Sequence, residues 1–386
     1  MPDKRERFIE FTTNLLYDRV SGKRATFFAT FLRLLSYIFY GIVKLRYFLY
    51  QKGIFRHKTL GCLIVVVGNL TLGGTGKTPV VERFARTLQA RGRKVAILSR
   101  GYRSKKEPLW RKGWRLLSHR SQYPPRIVSD GKTVRLDSEN AGDEPYMLAK
   151  NLPGIVVLVD KNRVKAGAYA IKKFQVDTLI LDDGFQYLPM KGQMNLLLID
   201  QSNPFGNEAL LPRGILREPI SHLKRASFIF LTKSTLEPDV KLENKIRKHH
   251  PNIEMIACCH RPKFLRSIPQ EKEYPLTTLK GMRVGYFCGI ASPSSFEKFL
   301  EDQNAEIVIY QHFIDHHRFK KEEIRQFFQA ALEQKAEAII TTEKDFVRLP
   351  RDFSPTIPCF YLRMEIGIIR GAENFEAAVN KVCFQS

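Results

Sequence analysis

An apolar run, Leu63–Val67, leads into Gly68-Asn69-Leu70-Thr71-Leu72-Gly73-Gly74-Thr75-Gly76-Lys77-Thr78, and that glycine-rich stretch leads straight into a helical pattern. In that pattern Val81, Phe84, Ala85 and Leu88 recur at helical spacing, Pro79 sits near the start, and Gly92 is placed to end it. A buried strand, a tight turn and a helix N-terminus together form an anion cradle. Successive backbone N–H groups and the positive end of the helix dipole then converge on one point. Small residues are needed where a phosphate chain approaches the backbone, which accounts for Gly73, Gly74 and Gly76. Thr71, Leu72 and Thr75 complete the loop. Lys77 can reach the β- and γ-phosphates of a nucleotide, and the Thr78 hydroxyl can ligate Mg²⁺. The strict motif begins with Gly where this chain has Thr71, so the match is partial while its strand–loop–helix setting is complete.

Short runs rich in β-branched residues recur downstream at Lys94–Leu98, Ile155–Val159, Thr178–Leu181, Leu196–Ile199 and Phe228–Leu231. Continuous apolar runs of this length read as strands buried on both faces, the signature of a parallel sheet. A further set, Glu254–Ala257, Arg283–Phe287, Glu306–Tyr310 and Ala338–Thr342, follows the basic patch Lys241–His250. The expected architecture is α/β: a P-loop NTPase-like parallel sheet core with a second, smaller α/β domain and an N-terminal amphipathic helix. The expected segments are 1–57 (basic and amphipathic), 58–222 (core), 223–350 (second domain) and 351–386 (a strand and helix returning to the core). The Pro- and Gly-bearing stretch Leu211–Leu223 is the expected linker.

A nucleotide-binding loop calls for an acidic strand end to hold a metal. Thr178-Leu179-Ile180-Leu181-Asp182-Asp183-Gly184 supplies one, with Asp182 as the Mg²⁺ ligand and Asp183 acting directly or through water. Asp-Asp-Gly is also ordinary turn chemistry. In Gly142-Asp143-Glu144-Pro145 two carboxylates precede a helix; one suits a general base and the other a metal contact, or both simply favour the helix N-terminus. Arg213 and Arg217, in a loop constrained by Pro212, Gly214 and Pro219, suit bidentate phosphate contact or a solvated basic linker. His312-Phe313-Ile314-Asp315-His316-His317 holds three of the nine histidines. If the segment is helical, His312 and His316 stand at metal-ligating spacing; otherwise one of them can assist a carboxylate.

The chain carries a net charge of +24, which suits phosphate-rich partners and by itself does not choose among nucleic acid, an anionic membrane and a small phosphorylated substrate. No helix-turn-helix, zinc-finger or RNP pattern is visible, so nucleic acid is not expected. Six cysteines without a C-x-x-C pair fit a reducing compartment. Residues 1–58 hold twelve Lys/Arg against four Asp/Glu, and no signal-peptide pattern precedes the apolar stretch Ala25–Tyr50. Arg33, Lys44 and Arg46 interrupt that stretch. A basic helix with an aromatic face, lying on an anionic membrane rather than crossing it, is therefore expected; packing on the protein's own core is the alternative.

Taken in order, these motifs form a set. Gly68-Asn69-Leu70-Thr71 through Lys77-Thr78-Pro79, Ser99-Arg100-Gly101-Tyr102, Gly142-Asp143-Glu144-Pro145, Asp182-Asp183-Gly184-Phe185-Gln186, Leu211-Pro212-Arg213-Gly214 with Leu216-Arg217-Glu218-Pro219, Asp315-His316-His317 and Thr342-Glu343-Lys344-Asp345 together resemble the tetraacyldisaccharide 4′-kinase family. The resemblance implies ATP-dependent phosphorylation of the 4′-hydroxyl of a lipid A disaccharide 1-phosphate, giving the 1,4′-bisphosphate lipid. It also implies ATP and Mg²⁺, a monomer, and a peripheral position on the cytoplasmic face of the bacterial inner membrane. Carried over by position, Asp143 is the base with His316 as its partner, and Lys77 and Thr78 hold phosphate and Mg²⁺. Glu144, Asp182 and Asp183 stand on the metal side, and Arg213 and Arg217 line the phosphate path. Tyr187 stands where the family usually has His. A partitioning-type ATPase switch would fit the same loop but carries Lys at the position of Leu72.

Overall fold

The computed structural model describes residues 11–12, 14–16, 18, 20–101, 104, 124–290, 292–315, 317–350 and 352–384. Helix α1 (Lys23–Gln51) leads into β1 (Leu63–Asn69), α2 (Lys77–Ala90) and β2 (Val95–Ser99). There follow β3 (Arg126–Asp130), α3 (Ser138–Ala141), α4 (Asp143–Asn151), β4 (Val156–Val159), α5 (Arg163–Phe174), β5 (Thr178–Leu181), β6 (Met194–Asp200) and β7 (Phe228–Thr232). Each strand expected from an apolar run is present and starts within two residues of its expected position. β1 pairs in parallel with β5 on one side and β6 on the other, and β2 and β4 extend the parallel array beyond β5. β2, β4, β5 and β7 are buried along their whole lengths because helices cover both faces. β3, which the sequence did not signal, adds an antiparallel edge on β4.

The chain continues through α6 (Val240–His249), β8 (Glu254–Ile268), β9 (Glu273–Tyr274), β10 (Arg283–Cys288), α7 (Pro293–Asp302) and β11 (Glu306–His312). It ends with α8 (Lys321–Glu333), β12 (Ala338–Thr342), α9 (Glu343–Phe346), β13 (Cys359–Arg370) and α10 (Ala372–Cys383). The path through the sheet is β11-β10-β12-β13-β8-β7-β6-β1-β5-β2-β4-β3, with β9 on β8. The boundary expected at 222/223 falls between β6 and β7, which pair over Leu196–Asp200 and Phe228–Thr232, so the sheet passes through it unbroken. Continuity into the second half rests on β8. Its first residues pair in parallel with β7, and from Ala257 to Ile268 it runs antiparallel to β13. Helix α10 returns to the first half, where Phe375 packs edge-on against Phe84 of α2 and Phe230 of β7.

Helix α1 runs through Arg33, Lys44 and Arg46 without a break. Its 29 residues make a rod about 44 Å long. By length and composition alone it could cross a bilayer. Within it only Ala25 and Ser36 are buried, while Phe27, Phe31, Leu34, Tyr37, Ile38, Ile42, Leu45 and Phe48 are exposed. It is therefore not a core helix. Ser36 donates its hydroxyl to the Leu210 carbonyl at 2.7 Å, and Arg46 donates to the Gln186 carbonyl at 3.3 Å, so one side of the rod is fastened to the first half.

Candidate active site

The loop between β1 and α2 is shaped by its glycines. Gly76 is left-handed, with φ 73°, and a Cβ there would lie 3.1 Å from the His260 ring of β8. Thr75 is buried; its carbonyl accepts the Thr232 hydroxyl from the end of β7 at 2.9 Å, and its own Oγ1 has no hydrogen-bond partner among the described residues. A buried hydroxyl without a partner is costly, and a ligand acceptor reaching the loop would satisfy it. Thr71 is buried and bridges to Leu216, while Leu72, Gly73 and Gly74 are exposed at the tip. Lys77 and Thr78 open α2, half-buried, where the helix dipole favours an anion.

Four side chains converge beside the loop. Lys77 lies 3.5 Å from Asp183 and donates to Asn69 Oδ1 at 3.3 Å. Arg217 makes two bonds of 3.1 Å to the Asp183 carboxylate, one of 2.5 Å to Asn69 Oδ1, and one of 3.1 Å from Nε to the Thr71 carbonyl. Burial raises Asp183, but Lys77 and Arg217 outweigh it and hold the carboxyl down at about 2. Asp182 is buried at the end of β5 and accepts the Ser99 hydroxyl at 3.1 Å. Burial, followed by the negative charges of Asp183 and Glu144, pushes it up to about 6 despite Lys77. Asp183 and Glu144 thus both repel the buried Asp182, which a divalent cation would relieve. No preformed cluster of three His, Cys, Asp or Glu ligands exists among the described residues. This suits Mg²⁺, which is usually held by one or two carboxylates together with substrate phosphates.

Asp143 is buried at the first turn of α4, with its carboxylate between two guanidinium groups from the second half. Arg348 Nε donates to Oδ2 at 2.9 Å, and Arg318 donates to Oδ1 at 3.1 Å. His316 and Tyr102 lie outside the described residues. Its neighbour His317 is engaged by Glu323 through Nε2 at 2.9 Å. His312 ends β11 and meets the Tyr286 hydroxyl at 2.9 Å. The described residues 313–315 that follow it are not helical, and His316 itself lies outside the described residues.

Arg213 and Arg217, four residues apart, point to different partners. Arg217 joins the loop as described. Arg213 is buried, donates to the Leu15 carbonyl at 3.2 Å and pairs with Asp18, while its backbone N–H donates to Ser36 of α1 at 3.0 Å. A buried guanidinium needs a counter-charge, and the N-terminal segment supplies it. Tyr187 has a structural setting: its ring stacks on Arg163 at 4.5 Å and its hydroxyl accepts the Arg163 backbone N–H at 3.1 Å. Sequence reasoning assigned no role to Asn69, Ser99, Thr232, His260, Arg318 or Arg348. For Asn69 a signal existed, since it precedes the loop in a fully buried strand end. The others meet the site only through tertiary contact.

The family model for tetraacyldisaccharide-1-P 4′-kinase matches residues 28–383. The tetraacyldisaccharide 4′-kinase of Desulfotalea psychrophila is 36% identical over 352 residues, covering 90% of this chain and 95% of its own. That of Syntrophus aciditrophicus is 36% identical over 365 residues, covering 91% and 92%. Among solved structures, the "apo" form of LpxK from Aquifex aeolicus in complex with ATP superposes with a TM-score of 0.71 at 27% identity, covering 92% of this chain and 100% of that one.

Proposed function

The chain belongs to the tetraacyldisaccharide-1-P 4′-kinase family, and from that premise we propose how its residues carry out the reaction. The reaction is ATP-dependent phosphorylation of the 4′-hydroxyl of tetraacyldisaccharide 1-phosphate in lipid A biosynthesis, giving the 1,4′-bisphosphate. In this reading the triphosphate lies in the loop 71–78, against its backbone N–H groups and the N-terminus of α2. Lys77 and Arg217 neutralise its charge, exchanging Asp183 for phosphate oxygens. Mg²⁺, when bound, supplies further neutralisation of the triphosphate; Thr78 and Asp182 would hold it, with Asp183 and Glu144 beside them.

Phosphoryl transfer needs alignment and charge neutralisation more than covalent help. The bond from the γ-phosphorus to the bridging oxygen breaks as the bond to the 4′-oxygen forms, and ADP leaves. The hydroxyl proton passes to Asp143, with His316 as the group that shares it. Helix α1, with its exposed aromatic and aliphatic side chains among cations, docks a monomer on the cytoplasmic face of the inner membrane, where the acceptor's acyl chains reside. The observation that carries this reading is the meeting of Lys77, Arg217, Asp182 and Asp183 at the β1–α2 turn. The test is incubation with labelled ATP, Mg²⁺ and a lipid A disaccharide monophosphate. A bis-phosphorylated lipid is expected, and its absence alongside intact nucleotide binding overturns the residue assignment.

A further inference from the structure

Asp143 belongs to the first half of the chain, yet Arg318 and Arg348, which both pair with it, belong to the second. Arg318 lies in the segment between β11 and α8. Arg348 follows α9. Each guanidinium takes one carboxylate oxygen and is itself fixed elsewhere. Arg348, with a fully buried side chain, also donates to the Gly289 carbonyl and to Asp345, both at 3.1 Å. Asp345 in turn accepts the Gly289 N–H at 3.0 Å and the Thr342 hydroxyl at 2.6 Å. The Thr342-Glu343-Lys344-Asp345 motif, for which the phosphate chemistry supplies no role, thereby anchors Arg348. Arg318 reaches past Asp143 to the Ser138 carbonyl at 3.2 Å, and the Ser138 hydroxyl donates to the Val347 carbonyl. The turn from Ser138 to Asp143 is thus stapled to the second half by Arg318, Val347 and Arg348.

We propose that Arg318 is a positioning residue for the phosphoryl transfer. It fixes, from across the two halves, the direction in which the Asp143 carboxylate faces the acceptor hydroxyl. The inference rests on the reading of Asp143 as the proton acceptor. Two guanidinium groups, one on each carboxylate oxygen, fix direction as well as distance, which a single cation does not. Arg348 contributes the second grip, but it is buried, and its removal would take a cation from both Asp143 and Asp345 at once and chiefly disturb folding. The Arg318 side chain is 40% exposed, so it can be changed without opening a core.

The experiment compares Arg318→Gln, Arg318→Lys, Asp143→Asn and the double variant Asp143→Asn/Arg318→Gln in the full-length chain. Arg318→Gln is expected to lower kcat about 10- to 100-fold, with the KM for ATP and the melting temperature nearly unchanged. Arg318→Lys should recover part of that loss. In the Asp143→Asn background the Arg318 change should add less than about 2-fold, because the two groups act as a unit. Normal kcat in Arg318→Gln beside an impaired Asp143→Asn overturns the proposal and leaves the reading of Asp143 standing. Losses that multiply in the double variant overturn the proposal in the same way. Full activity in Asp143→Asn overturns the reading of Asp143 and, with it, the role of Arg318.

Discussion

Asp182 and Asp183 are chain neighbours held in opposite ionisation regimes. Burial and two nearby carboxylates push Asp182 up to about 6, whereas Lys77 and Arg217 overcome burial and hold Asp183 at about 2. The backbone makes the difference. Asp182 follows β5 inward to Ser99, while Asp183 takes a left-handed turn, φ 52°, that delivers it to the two cations. Environments that drive paired carboxyls apart are a mark of divided chemical roles.

Replacing Asp182 with Asn should therefore stabilise the fold while abolishing the kinase reaction. A carboxyl whose folded pKa lies above its unfolded value disfavours the native state at neutral pH. The expected gain is roughly 1–3 kcal/mol at pH 7.5. It should shrink as pH falls through about 6, where the wild-type group takes up its proton. Thermal melts at pH 7.5 and pH 5 check this; an equal or lower melting temperature for the variant at pH 7.5 contradicts it.

The two arginines of the 211–219 loop should separate cleanly. Arg217→Ala should cost about 10²-fold or more in turnover, as loss of a charge-stabilising donor does, and Lys77→Ala should abolish turnover with the fold intact. Arg213→Ala should leave nucleotide affinity unchanged and instead loosen the N-terminal segment, costing about 1–3 kcal/mol in stability. Calorimetric titration with nucleotide alongside thermal melts tells the two apart. Weakened nucleotide binding in Arg213→Ala would return that residue to the phosphate path.

Arg363 of β13 is buried between Glu82 of α2 and Glu343 of α9, bonding Glu343 at 2.7 Å and pairing with Glu82. Arg363→Met removes the cation shared by the two carboxylates, leaving Arg86 on Glu82 alone, and should destabilise by about 3–5 kcal/mol. The triple variant Arg363→Met/Glu82→Gln/Glu343→Gln should regain most of that loss. Urea unfolding is the measurement, and a single variant as stable as wild type denies the triad its role.

Deleting residues 1–50 should abolish co-sedimentation with anionic vesicles and reduce activity on vesicle-borne acceptor. A truncated chain that keeps full activity on the lipid acceptor and is freely soluble without detergent speaks against membrane docking through α1.

What could be read from the sequence was local. β1, its loop and α2 announce themselves because an apolar run, small residues and helical spacing are contiguous, and the strands of the first half do so because burial on both faces leaves no polar alternation. β8 was expected only as far as Ala257. Beyond it Arg261, Pro262, Lys263 and Arg266 break the apolar signal, although the backbone continues as strand to Ile268. Within 351–386 a strand was expected but its bounds were not, for the same reason: Arg363 and Glu365 punctuate β13. The Asp143 clamp was invisible because its partners stand 175 and 205 residues away in the chain. Arg213 illustrates a further limit: a motif supplies a residue type, and packing supplies its direction.

The antiparallel run of β8 against β13 carries two register shifts, one between Arg363 and Met364 and one between Ile368 and Arg370. Among the described residues the two halves are joined by strand pairing through β8, which ladders to β7 at its start and to β13 beyond, so they cannot swing as two bodies on a slack tether. They can only flex as a leaf spring does, yielding where an extra residue already interrupts the rungs.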